Sequence, residues 1–142
     1  HDEGKSYAEQ LCGLKSRRPY YPIQMWGITM DRKRLYGRID SRVDAMMREG
    51  LVDEVRQLVS NGFGEDLTAR QAIGYKEVLA YLADECSLDE CVELIKRRSR
   101  RYAKRQLSWL RRDGRVRWLD MDALDIMGAA EGIVEAYEAV AR

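Results

Sequence analysis

Tyr21-Pro22-Ile23-Gln24-Met25-Trp26-Gly27-Ile28-Thr29 is apolar at nearly every position. A run of this character reads as a strand covered on both faces, as in a parallel sheet. Such a strand needs a partner, and Val116 to Leu119 reads as a second one. Most of the sequence around the two has a helical period. The chain is therefore read as α/β, a mostly α-helical piece that contributes about two short strands to a core sheet.

Helix signals fill the space between the strands. Asp31 can cap a helix that runs to about Glu49 and stops at Gly50, and Leu51 to Asn61 forms another that stops at Gly62. Counting 100° per residue from Leu35, the apolar Ile39, Val43 and Met46 fall at roughly 40°, 80° and 20°. Arg42 falls at roughly −20°, inside or beside the same arc. A guanidinium there either meets an anion, or packs its stem on the core while its head turns outward or pairs with Asp40 or Asp44. The pattern leaves both readings open. After a loop over Phe63 to Thr68, a helix from about Ala69 to Asp84 carries Ile73, Leu79 and Leu82, with Gly74 in its first half. A glycine inside a helix costs about 1 kcal/mol against Ala, so it is expected to let something approach the backbone closely. Ser87 and Glu90 make a capping box that opens a long helix reaching about Arg112, where Asp113-Gly114 ends it. Residues 1 to 12 read as a short helix, Leu14 to Pro19 as a basic loop, and Ala123 to Ala141 as a final amphipathic helix through Ile126, Ala130, Ile133 and Tyr137.

The long helix carries the strongest chemical signal. From Lys96 to Arg117 eleven positions are Lys or Arg and only Asp113 is acidic, a net +10 in a chain whose total is +1. One sign concentrated on one segment is the footprint of a partner with closely spaced phosphates, and nucleic acid is the first expectation. The apolar stripe Leu88, Cys91, Ile95, Tyr102, Gln106 and Leu110, with Ser99 between, leaves Arg97, Arg101, Lys104 and Arg111 along a neighbouring face. A solvated face supported by acids one turn away is the alternative, but no acid lies between Arg97 and Arg112. Tyr102 and Trp109 are interleaved with the cations.

Other chemistries find little support. The 142 residues, 45% of them hydrophobic, suffice for one core. The apolar runs are far shorter than the roughly 20 residues that cross a bilayer, so no membrane segment is expected. Three cysteines without a CxxC pair and a single histidine at position 1 make neither a disulfide framework nor a zinc site, which suits a reducing cytoplasm. With its one histidine at the end, the chain offers no Ser/His/Asp arrangement. Gly4-Lys5-Ser6 is like the end of a P-loop but lacks the glycine and buried strand that should precede it. The absence of an initial Met suggests a piece of something longer.

Two motifs together carry a resemblance: Gln71-Ala72-Ile73-Gly74-Tyr75-Lys76-Glu77, and Arg101-Tyr102-Ala103-Lys104-Arg105-Gln106-Leu107-Ser108-Trp109-Leu110-Arg111. With Leu35-Tyr36-Gly37-Arg38-Ile39-Asp40-Ser41-Arg42-Val43 and Glu49-Gly50-Leu51-Val52-Asp53-Glu54-Val55 before them in the same order, the chain resembles the C-terminal half of the tRNA dimethylallyltransferases. The resemblance implies a P-loop NTPase-like fold, and transfer of a dimethylallyl group from dimethylallyl diphosphate to N6 of adenine-37 next to the tRNA anticodon. It implies Mg²⁺, bound mainly by an N-terminal part that this chain lacks, and a phosphate-cradling loop and a catalytic aspartate in that same part, so the chain alone is expected to be inactive. By motif position Arg42 stabilises the diphosphate leaving group, and Thr68, Arg70, Gln71, Arg98, Arg101, Lys104, Arg105 and Gln106 contact tRNA. The organisation this implies is one C-terminal fragment, 1–142. Strands 21–29 and 116–119 join the core sheet, 31–112 is a helical tRNA-binding part, and 123–141 is the last helix. A cytoplasmic monomer with tRNA and dimethylallyl diphosphate as partners is expected. A helical RNA-binding module without catalysis, and an isopentenyltransferase acting on free adenine nucleotides, are the alternatives. The second fits less well, because a mononucleotide offers few phosphates to so many cations.

Overall fold

The structure of the chain, a computed structural model, describes residues 23–62 and 71–141. The helix expected over 1–12, the loop Leu14 to Pro19, Gly4-Lys5-Ser6, Tyr21-Pro22 and the segment 63–70 with Thr68 and Arg70 lie outside the described residues.

Strand β1 is Met25–Thr29 and strand β2 is Val116–Asp120. They pair in parallel, with Met25 opposite Val116, Gly27 opposite Trp118 and Thr29 opposite Asp120. A parallel pair needs a long crossover, and the helices between the strands supply it. Gly27 is buried, and its place requires that it have no side chain. A Cβ there would stand 2.8 Å from Val116 Cγ1 and 2.8 Å from Trp118 Cζ3. We expect Gly27→Ala to lower stability by about 1–3 kcal/mol through overpacking, read as a lower urea midpoint. On the same pair of strands the Arg117 guanidinium lies over the Trp26 ring, 5.5 Å from its centroid.

Asp113 starts the approach to β2. Its buried carboxylate accepts hydrogen bonds from Arg115 N (3.1 Å), Nε (2.9 Å) and NH2 (2.6 Å). The Arg115 side chain, with its backbone N–H second, holds the carboxyl at about 2, below the ordinary 3.8. A folded value below the unfolded one means that this group's contribution is whole above about pH 4 and is lost as pH falls through about 2. Asp113→Asn is expected to flatten that acid limb in a stability-against-pH series.

The last helix, α5 here (Ile126–Ala141), starts three residues later than expected, because the Ala123 and Leu124 amides donate to the Asp120 carbonyl in a turn. Its packed side also differs from the expected Ile126, Ala130, Ile133, Tyr137 stripe. Ala129 is 7% exposed, whereas Ile126 is 79% exposed. Small residues, Gly128, Ala129, Gly132 and Ala136, form the inward side, and the Ala136 carbonyl accepts a hydrogen bond from Gln24 Nε2 at 2.9 Å. Counting only large apolar residues points to the wrong side of such a helix.

The remaining helices are α1 (Arg32–Arg48), α2 (Leu51–Ser60), α3 (Tyr75–Leu82) and α4 (Leu88–Leu110). The chain divides into two compact units, Arg32–Lys104 with α1 to α3 and most of α4, and, among the described residues, 23–31 with 105–141, which hold the strands and α5. The sequence reading extends the helical part to 112, but the division falls inside α4, where the helix changes the unit it belongs to. Val43, Leu51, Val55, Val78, Cys91 and Ile95 form the core of the helical unit, each from a different turn of α1 to α4. The capping box opening α4 is present. Ser87 N–H donates to Glu90 Oε2 at 2.8 Å and Glu90 N–H donates to Ser87 Oγ at 3.3 Å.

Gly74 is not inside a helix as the sequence reading places it. Helix α3 begins at Tyr75, and Gly74 precedes it with φ 104, a left-handed backbone that an L side chain rarely adopts. Its N–H, which has no partner in the helix, donates to Glu77 Oε2 at 2.6 Å.

Candidate nucleic-acid interface

The interface is built on α4. With Cys91 and Ile95 committed to the core, the cations of this helix divide by angle. Lys96 Nζ lies 2.7 Å from Asp44 Oδ1, and the Arg100 guanidinium donates to Asp40. Asp40 and Asp44 are one turn apart on α1, as are Lys96 and Arg100 on α4, and the pairing runs in opposite directions, so the two helices lie antiparallel along this seam. The Asp44 carboxylate bonded to Lys96 holds its ammonium above the ordinary lysine range. On the other flank, roughly 160° round from Arg100, the Arg98 guanidinium donates to the buried carboxylate of Glu77 on α3.

Between these two paired flanks lie Lys104, Arg97, Arg101 and Arg105, at roughly 40°, 60°, 100° and 140° from Arg100, all exposed. The first three form a strip of neighbouring positive charges, with cations that the fold has already neutralised on both flanks. With no acid between Arg97 and Arg112, the sequence alone leaves that stretch without support along its own helix. The compensation instead comes across helices, from Asp40, Asp44 and Glu77, which spacing along one helix cannot reveal.

The other expected contact residues are placed as follows. Gln71 is exposed in the turn before α3, and its Oε1 accepts from Lys76 Nζ at 3.3 Å. Arg101, Lys104, Arg105 and Gln106 are exposed on α4, while Arg98 is half-exposed and held by Glu77. Tyr102 and Trp109 are exposed as well, where an inward stripe would have put Tyr102 in the core. The core ends at Ile95, so the later turns of that stripe have nothing to pack on within the buried cluster.

Arg42 departs from the apolar arc. It is exposed on α1, about 100° round the helix from the buried Val43. The arc is centred on Val43 and reaches past Met47 toward Asp40 and Asp44, which hold α4, so its far edge near Leu35 leaves Arg42 outside. Asp40 and Asp44, the carboxylates the sequence offers it, carry other partners.

A cavity of about 520 Å³ opens between α3 and α4, lined among others by Gln71, Lys76, Glu77, Cys86, Leu94 and Arg98. Arg42 is not in its wall. Burial pushes the nearby Cys91 thiol up to about 11, which keeps it protonated and unreactive near neutrality. Among the described residues no group of three or more His, Cys, Asp or Glu is placed to hold a metal ion. No helix among them is long and apolar enough to cross a membrane. Glu77 stands in the motif Gln71 to Glu77 but receives no role from it. The signal was present as Gly74-x-x-Glu77, the spacing by which an acid in the first turn reaches back to the residue before its helix.

Comparison with known proteins agrees with the motifs. The family model described as IPP transferase matches residues 1–113. The chain is 48% identical over 127 residues to a tRNA dimethylallyltransferase of Desulforamulus reducens, covering 88% of this chain and 44% of that protein. It is 51% identical over 105 residues to one of Geobacter sulfurreducens, covering 74% and 33%. Among solved structures, the tRNA isopentenylpyrophosphate transferase of Bacillus halodurans superposes with TM-score 0.75 at 44% identity, over 86% of this chain and 39% of that one. The tRNA delta(2)-isopentenylpyrophosphate transferase of Staphylococcus epidermidis gives TM-score 0.80 at 39% identity, over 84% and 39%. The chain therefore spans less than half the length of these relatives. A strip of cations on α4, two parallel strands with a helical crossover, and this degree of identity lead to one conclusion: the chain belongs to the IPP transferase family.

Proposed function

We propose that the chain is the tRNA-holding part of an enzyme that transfers a dimethylallyl group from its diphosphate to N6 of an adenine beside the anticodon. The observation that carries this is the exposed strip Arg97, Arg101, Lys104 between two flanks of internally paired cations. Three adjacent like charges repel each other at close range, and a polyanion laid along them relieves that repulsion. Phosphate contacts position the RNA, and exposed Tyr102 and Trp109 offer faces on which an unstacked base can lie. In this reading the enzyme is a cytoplasmic monomer, and Arg42 supports the departing diphosphate from the surface of α1, since a fixed guanidinium stabilises the charge that grows as the C–O bond breaks. Magnesium would be held mainly by the N-terminal part of the enzyme.

The test uses the 142-residue chain and two ligands, whole tRNA and AMP. We expect tRNA to bind and AMP at a thousandfold excess over the protein not to displace it. Displacement by AMP would favour a transferase acting on free nucleotides. In the full-length enzyme, Arg42→Ala is expected to lower kcat by about 10²-fold with tRNA affinity unchanged, and an unchanged kcat would remove Arg42 from the reaction.

A further inference from the structure

Glu77 has no role in the site as described so far, yet it is the most buried acidic residue among the described residues, 1% exposed. Its two carboxylate oxygens do different work. Oε2 accepts the Gly74 N–H at 2.6 Å, and Oε1 accepts the Arg98 guanidinium. One carboxylate thus ties the turn that begins at Gln71 to the middle of α4. The cavity between α3 and α4, bounded from Gln71 to Cys86 on one side and by Leu94 and Arg98 on the other, separates the two helices, so close packing alone does not set their spacing. Arg98 stands beside Arg97 and one turn before Arg101 in the exposed strip.

We propose that Glu77 is a positioning residue for RNA recognition, which holds the Gln71 turn and the Arg97, Arg101 edge of α4 at the separation where one RNA engages both. This rests on the RNA-binding reading above. The opposite consequence is equally definite. If Glu77 served only to neutralise Arg98, removing its charge would add a phosphate contact to the surface and tighten binding.

Glu77→Gln separates the two, because the amide keeps the size of the side chain and can still accept from Gly74. For the 142-residue chain binding an anticodon stem-loop RNA, we expect Glu77→Gln to weaken affinity about tenfold at every salt concentration, with the slope of log K against log salt unchanged. Gln71→Ala should weaken binding in the native background and add nothing on top of Glu77→Gln. Unchanged or tighter binding, a steeper slope, or full additivity with Gln71→Ala would overturn the proposal. Circular dichroism on each variant confirms the fold. Should Glu77→Gln unfold, Arg98→Lys, which keeps the charge but not the planar fork, is expected to give the same loss at constant slope to a smaller degree, and an unchanged affinity there would overturn it too. If the native chain fails to bind the stem-loop at all, the RNA-binding reading falls and the positioning role falls with it; a native chain that binds isolates the role of Glu77.

Discussion

Ile95→Ala is expected to lower the stability of the helical unit by about 3 kcal/mol, within the range measured for truncating a fully buried isoleucine. Ile95 is 1% exposed on α4 and belongs to a cluster of only six buried residues, so few neighbours can move in to fill the space it leaves. In a unit of this size that loss corresponds to a fall of more than about 10 °C in melting temperature. The matched control is Ile126→Ala on α5. It removes the same atoms from an exposed position and is expected to change stability by less than about 0.5 kcal/mol. Equal effects from the two substitutions would show that the core is not where the buried cluster places it.

Replacing Arg97, Arg101 and Lys104 together by Ala is expected to weaken tRNA binding about 100-fold near 0.1 M salt and to lower the salt slope by about 2 to 3. Folding should be little affected or slightly improved, because the three charges repel each other. The contrasting pair is Lys96→Ala with Arg100→Ala. These remove as much formal charge per residue from the same helix, but from side chains held by Asp44 and Asp40, so the loss should fall on the α1 seam and leave the salt slope nearly unchanged. Equal loss of tRNA affinity from both sets would mean that net charge, not the exposed strip, governs binding.

The features that could be read from the sequence are those whose cause is local. Ser87 and Glu90 announce a helix start because the two residues bond to each other, and an apolar run such as Ile23 to Ile28 needs no knowledge of its neighbour to read as a strand. The parallel partner at Val116 follows from the same signal. What escaped depends on the assembled fold. Arg42 was assigned to an apolar arc because the angle count gives Leu35 the same weight as Val43, whereas the fold centres the packed side on Val43 and turns Asp40 and Asp44 toward α4. The neutralisation of Arg98 and Arg100 is invisible along one helix, since their acids lie on others, and Lys96 has Asp44 of α1 besides Glu93 on its own helix. Helix α5 was read on its wrong side because small residues, not large ones, make its close approach. Gly74 looked like a helix interior position until its φ of 104 placed it before the first turn.

The most direct test of the account is the dependence of tRNA binding by the unmodified chain on salt concentration. A strip of at least three exposed cations meeting phosphates predicts that log K falls against log salt with a slope of about −2 to −3 or steeper. A slope near zero, or no measurable binding at low salt, would contradict it, because the charges on α4 would then have no polyanion to meet.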